Sequence, residues 1–135
     1  MVGISPKKLI SMMIAGSMMA PLKLMAAPFD ACTDQAFLVQ GEVATMYGVN
    51  LKTGEYEVLA ANLGTTHKIN GIGYNVHDDY LYGYGYEAGT LVRIGDDFVA
   101  NPIAVTNFPS QNFYVGDVSP LENTCLLYTS DAADD

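Results

Sequence analysis

The chain has 135 residues, with six lysines and arginines against fifteen aspartates and glutamates, a formal net charge of −9. An acidic surface repels phosphate backbones and anionic bilayers, so the composition argues against a nucleic-acid partner and against attachment to an anionic membrane. The same charge suits an exported protein kept in solution by self-repulsion.

The first residues read as a secretory signal. Lys7 and Lys8 give a positive start, Leu9 to Ala20 is an apolar run, and small residues follow at Ala26 and Ala27. Pro21 and Lys23 interrupt the run before it is long enough to span a bilayer. Cleavage after Ala26 is expected, giving a signal peptide over 1–26; an uncleaved anchor is the alternative, and Leu24 is bulky for the residue it would occupy at the cleavage site. No stable membrane insertion is expected once the signal is removed. No lipobox precedes Cys32.

From there the pattern predicts strands and turns. Ala36–Gln40 and Thr45–Asn50 are short apolar strands, Leu51–Gly54 is a turn, and Tyr56–Ala61 pairs back. Asn62–Lys68 is a polar loop. Ile69–Asn75 starts a new group, Val76–Asp79 turns, and Tyr80–Tyr86 alternates, with tyrosines on one face and leucine or glycine on the other. Thr90–Ile94 and Pro102–Thr106 complete the group, and Phe113–Ser119 opens the next. Pro120–Asn123 repeats the position of Val76–Asp79, so a further strand is expected near 125. No window shows sustained helical periodicity.

The strands repeat. Thr45–Val49 is echoed by Thr90–Ile94, Val58–Leu63 by Ile103–Phe108, and Asn70–Asn75 by Tyr114–Ser119, a period of about 44 residues. Such a period of short strands indicates propeller blades, each of which must stack on neighbours to bury its faces. The expectation is therefore an all-β, antiparallel fold of four-stranded blades, an incomplete β-propeller of roughly two blades over 27–124. Its partners would include missing blades of the same chain. Two blades leave open edges, so 27–124 alone is expected to aggregate or stay partly unfolded.

The last eleven residues, 125–135, resemble the translation of a transposase-type sequencing adapter, whose codons give this peptide through Asp134. On that reading nothing after Thr124 carries function. Cys125 then belongs to the adapter and Cys32 is left alone. Cys32 either pairs with a cysteine in a lost C-terminal region or is a free or packed thiol.

Taken together, Phe29–Cys32, Ala36–Gln40, Met46–Gly54, Ile72–Asn75, Asp79–Gly83 and Leu91–Gly95 resemble an uncharacterised family of exported bacterial propeller-like domains. The resemblance implies a secreted, periplasmic or cell-surface β-propeller domain, often part of a larger protein. It brings no catalytic residues to these positions. An extra alanine before Cys32 departs from the pattern.

Candidate chemistry is sparse. Gly83-Tyr84-Gly85-Tyr86-Glu87-Ala88 fits a loose dinucleotide fingerprint, but a hairpin turn follows it where a helix must begin. The two glycines are better explained by close approach of a neighbouring blade. His77, Asp78 and Asp79 are contiguous in a turn, so their side chains diverge and no metal site is expected. Ser110 and Ser119, the serines of 27–124, sit in no nucleophile elbow. No catalytic residue and no cofactor is assigned. Tyr74, Tyr80, Tyr82, Tyr84 and Tyr86 form either a binding surface for sugar or peptide or, the preferred reading, filling between blades.

The expected role is binding or scaffolding of an extracellular ligand or protein. Propellers bind where inter-strand loops gather, and Asn62–Lys68 and Phe108–Gln111 fall at equivalent places in successive repeats. Asn62, His67, Lys68 and Gln111 are therefore the candidate contacts. The alternative is a propeller-based hydrolase or lyase whose catalytic residues lie in missing blades. A third is a structural spacer in a large surface protein.

Overall fold

A computed structural model describes residues 26–30 and 34–129. The expected signal, Cys32 and the end of the tail lie outside the described residues, apart from Ala26 at the signal's edge.

Nine strands and no helix form among the described residues. β1 (Gln35–Gln40), β2 (Thr45–Asn50) and β3 (Tyr56–Ala60) make a first sheet in that order. β4 (Ile69–Asn75), β5 (Tyr80–Gly85), β6 (Thr90–Ile94) and β7 (Asn101–Pro102) make a second, and β8 (Val115–Ser119) with β9 (Thr124–Tyr128) a third. Every pairing is antiparallel between chain neighbours, as short hairpin connections dictate. The expected fourth strand of the second sheet shrinks to two residues. Pro102 has no N–H to donate, and the ladder gains only one more bond, Ile103 N–H to the Leu91 carbonyl at 2.8 Å.

The turns carry the repeat at atomic detail. Asp79 and Asn123 both adopt positive φ, at 57° and 52°, the conformation that Asn and Asp tolerate best among residues with a side chain. Each closes its turn with the same bond, Asp79 N–H to Asn75 O at 2.9 Å and Asn123 N–H to Ser119 O at 3.1 Å.

The sheets stack in chain order through two different contacts. Between the first and second sheets lies an aliphatic core: Ala44 and Met46 from the β2 side, Leu63 from the loop, and Ile69, Leu81, Val92 and Ile94 from the second sheet, all buried. Phe29 seals one end, with its ring 4.8 Å from Phe37 and 5.9 Å from Phe98. Residues 26–30 run along this end, tied by Ala27 N–H to Asp96 Oδ1 at 2.9 Å and by Phe29 N–H to Asp79 O at 2.9 Å.

Between the second and third sheets the backbones themselves touch. A Cβ on Gly73 would stand 2.5 Å from the Val118 nitrogen, and one on Gly71 only 3.3 Å from the Gly116 nitrogen. Any side chain there would force the sheets apart. Gly71 also has a φ of 59°, beside an irregularity in the β4–β5 register. Because Gly71 meets Val115 and Gly116 while Gly73 meets Asp117 and Val118, β4 and β8 run side by side in the same direction.

Gly83 and Gly85 have a different role from the one expected. The space above Gly83 is filled by Ile69 and Ile72 of β4, and that above Gly85 by Val92 of β6. Large side chains from flanking strands of the same sheet, not a neighbouring sheet's backbone, need these glycines. The close approach between sheets falls instead on Gly71 and Gly73.

Candidate functional site

Two long connections lead from one sheet into the first strand of the next, 61–68 into β4 and 103–114 into β8. Since β4 and β8 run in the same direction, both connections reach the same edge of the molecule, where the β5–β6 turn also lies.

The first connection is built around one carboxylate. Glu87, just past β5, accepts from the Thr66 backbone N–H at 2.6 Å, the Thr65 hydroxyl at 2.8 Å and the Thr66 hydroxyl at 3.0 Å. His67 Nδ1 lies 2.9 Å from the Thr66 hydroxyl and 3.8 Å from Glu87. The Thr66 N–H first, then the two hydroxyls and His67, hold the Glu87 carboxyl well below its ordinary range, at about 2. About half of its side chain is exposed, so solvent screens this network.

Asn62 has a local task. Its Oδ1 accepts from the N–H groups of Gly64 at 2.7 Å and Thr65 at 3.2 Å, a side-chain-closed turn. That turn drives Leu63 inward, where it is fully buried. The loop read as polar therefore contributes one of the largest side chains of the core. Further bonds fix it to both sheets: Ala44 N–H to His67 O, Ala100 N–H to Leu63 O and Tyr86 N–H to Lys68 O.

Tyr86 joins the two connections. Lys68 Nζ sits 4.8 Å above its ring. Its hydroxyl receives a bond from Asn70 Nδ2 and donates to the Phe113 carbonyl, both at 3.3 Å. The second connection folds Phe108 and Phe113 onto Tyr84, with ring centroids 6.1 and 5.3 Å away. Leu63 and Phe108, equivalent in the repeat, thus both pack beneath their connections.

Of the four candidate contacts, His67 stands exposed and Lys68 half-buried at this edge beside Glu87 and Tyr86, while Asn62 is occupied in shaping the loop. Gln111 is exposed on the second connection, where its N–H bonds Pro109 O at 3.0 Å; no bond links it to the other three. Glu87 was missed; Thr65 and Thr66 lay in the 62–68 loop without being singled out, and Tyr86 was preferred as filling between blades. Glu87 lies about twenty positions from the threonines that it organises, and nothing in local composition signals such a partner.

A cleft of about 210 Å³ opens beside the network, lined by Gly64, Thr65, Ile69, Glu87, Val92 and Pro102 among others. A wider, shallower groove of about 990 Å³ lies on the first sheet along Asp34, Gln35, Asn50 and 53–57. It contains none of the candidate contacts.

The opposite edge is structural. His77 Nε2 meets the Pro120 carbonyl at 2.8 Å, the Asp78 carboxylate accepts from the Tyr82 hydroxyl, and the Asp79 carboxylate from the Tyr74 hydroxyl. The three side chains of that turn diverge to three partners. Among the described residues no group of three or more His, Cys, Asp or Glu could hold a metal ion. Cys125 is a free thiol whose pKa is raised by burial and by the Asp117 charge.

No curated protein and no solved structure matches the chain. A family model described as "Repeat of unknown function (DUF6923)" matches residues 36–135, and the chain belongs to that family.

Proposed function

We propose that the chain is an exported, propeller-like binding and scaffold module that holds its ligand at the edge formed by the 61–68 connection, the β5–β6 turn and the 103–114 connection. The Glu87 network carries this reading. It fixes the backbone of 65–67 and leaves the His67 ring exposed, with the half-buried Lys68 over the Tyr86 ring, beside a small cleft. A loop held in one shape loses little entropy when it binds. The ligand is extracellular, a protein or a polysaccharide.

The sheets are read as successive blades. Support comes from their chain-order stacking, the parallel course of β4 and β8 and the recurring turn at Asp79 and Asn123. Export is read from residues 1–26. Cleavage after Ala26 would place a new ammonium group at Ala27, whose nitrogen lies 2.9 Å from the Asp96 carboxylate. N-terminal sequencing of the protein secreted by an expressing host checks this; a start other than Ala27 contradicts it.

Residues 125–135 are read as adapter-derived. They fill the β9 slot because their alternation fits it, with Cys125 opposite Val118 and Leu127 opposite Gly116. Resequencing the source DNA with a different library chemistry decides their origin.

The binding reading is tested by presenting the full chain to arrays of extracellular polysaccharides and of surface-protein peptides, then repeating with His67→Ala and Lys68→Ala together. The expected result is a hit that the double variant loses while its fold is kept. A hit that the double variant retains contradicts the proposed edge.

A further inference from the structure

The cleft beside the Glu87 network is apolar along its walls and carries polar side chains from two residues alone. Ile69, Ala88, Val92, Ala100 and Pro102 wall it, and Ile69 and Val92 are themselves buried. Thr65 and Glu87 supply its polar side chains. The Thr65 hydroxyl already donates to Glu87 Oε2.

Glu87 uses its two oxygens differently. The Thr66 N–H, the Thr65 hydroxyl and the Thr66 hydroxyl all bond Oε2, and His67 Nδ1 stands 3.8 Å from that same atom. Among the described residues no group donates to Oε1. About half of the side chain is exposed, so the bonds to Oε2 hold Oε1 in place as an acceptor open to a ligand. The walls are held as well. Asn62 Oδ1 accepts from the Thr65 N–H at 3.2 Å, and the Ala100 N–H bonds the Leu63 carbonyl at 2.8 Å. A cleft formed before its ligand arrives lowers the ordering cost of binding.

Size and lining narrow the occupant. Pockets that hold a whole small molecule run to about 300–1,000 Å³. At about 210 Å³ this cleft takes one group of a larger ligand. A sugar ring carries hydroxyls around its edge, and burial against Ile69, Val92 and Ala100 would leave them without partners. An aliphatic side chain gains from the same burial. The carboxylate oxygen beside it, on a chain of net charge −9, suits a cation.

We propose that the cleft receives one leucine-sized side chain of an extended protein segment, and that a lysine or arginine two residues along that segment bonds Glu87 Oε1. Residues two apart project from the same side of an extended chain. This rests on the reading of this edge as the binding edge, and assigns its ligand to protein rather than polysaccharide.

The test follows the amide resonances of Gly64, Thr65, Ala88 and Ala100 in the full chain during titration with acetyl-Leu-Ser-Lys-amide. All four should shift and saturate. Serine in place of the probe's leucine should weaken binding about tenfold, and glutamate in place of its lysine about threefold. Glu87→Gln should make the lysine and glutamate probes equal. Ala88→Leu changes an exposed turn residue and narrows the cleft, so it should abolish binding. Unmoved resonances, equal affinity for the serine probe, or undiminished binding by Ala88→Leu overturns the proposal. Titration with xylo- and chito-oligosaccharides separates the two readings. Shifts from an oligosaccharide and none from the peptide overturn the protein assignment and keep the binding edge; no shift from either class overturns both.

Discussion

The contact between the first and second sheets and that between the second and third perform the same task by opposite means. The first fills the gap with Met46, Leu63, Ile69, Leu81, Val92 and Ile94. The second removes the gap, with Gly71 and Gly73 against the β8 backbone and the rings of Tyr84, Phe108 and Phe113 at one side. One repeat geometry therefore accepts two chemistries, side-chain volume or its absence. Each contact fails differently, by cavity in the first case and by steric wedge in the second.

Chemical unfolding separates the two. Ile94→Ala leaves a cavity in the aliphatic contact and should cost about 2–5 kcal/mol; a loss under about 1 kcal/mol would mean that this contact is not close-packed. Gly73→Ala should cost about 1–3 kcal/mol, since the added methyl meets backbone that cannot rotate away. Unchanged stability in Gly73→Ala would contradict the backbone contact.

Smaller effects belong to the two edges. Asn75 Nδ2 donates to Asn123 Oδ1 at 2.8 Å across the second contact, and Asn75 Oδ1 accepts from the His77 N–H. Asn75→Ala should cost about 1–3 kcal/mol, toward the lower end, because the partner left behind lies at the surface. Equal stability of variant and wild type in urea would remove this bond from the account.

The Glu87 network should show its effect in pH rather than in overall stability. Its carboxyl, ordinarily near 4.5, is lowered to about 2, so its anchoring of the loop is fully present above about 4.5 and is lost as pH falls toward 2. The Thr66 amide resonance should titrate with a midpoint near 2, and Glu87→Gln should abolish that titration. A midpoint near 4.5 would show that the threonines do not hold the carboxylate.

Much of the fold was legible because alternation and turn residues are local signals. Tyr80–Gly85 alternates, and Gly, Asn and Asp mark the turns between strands. Leu63 was hidden because Asn62, Gly64, Thr65 and Thr66 surround it with polarity, and only the turn closed by Asn62 points it inward. Gly71 and Gly73 were passed over in favour of Gly83 and Gly85, since sequence shows where a side chain is missing but not which neighbour uses the space. Glu87 was invisible for the same reason: its partners come together only when the 61–68 connection folds across the β5–β6 turn.

The central claim is that successive sheets stack in chain order, with β4 lying directly against β8. Through-space proton contacts in the NMR spectrum of the full chain test it most directly. The account predicts strong cross-peaks between the α protons of Gly71 and Gly73 and the backbone protons of Val115–Val118, although no hydrogen-bonded ladder joins these strands. Their absence, with the ladders inside each sheet intact, would contradict the stacking.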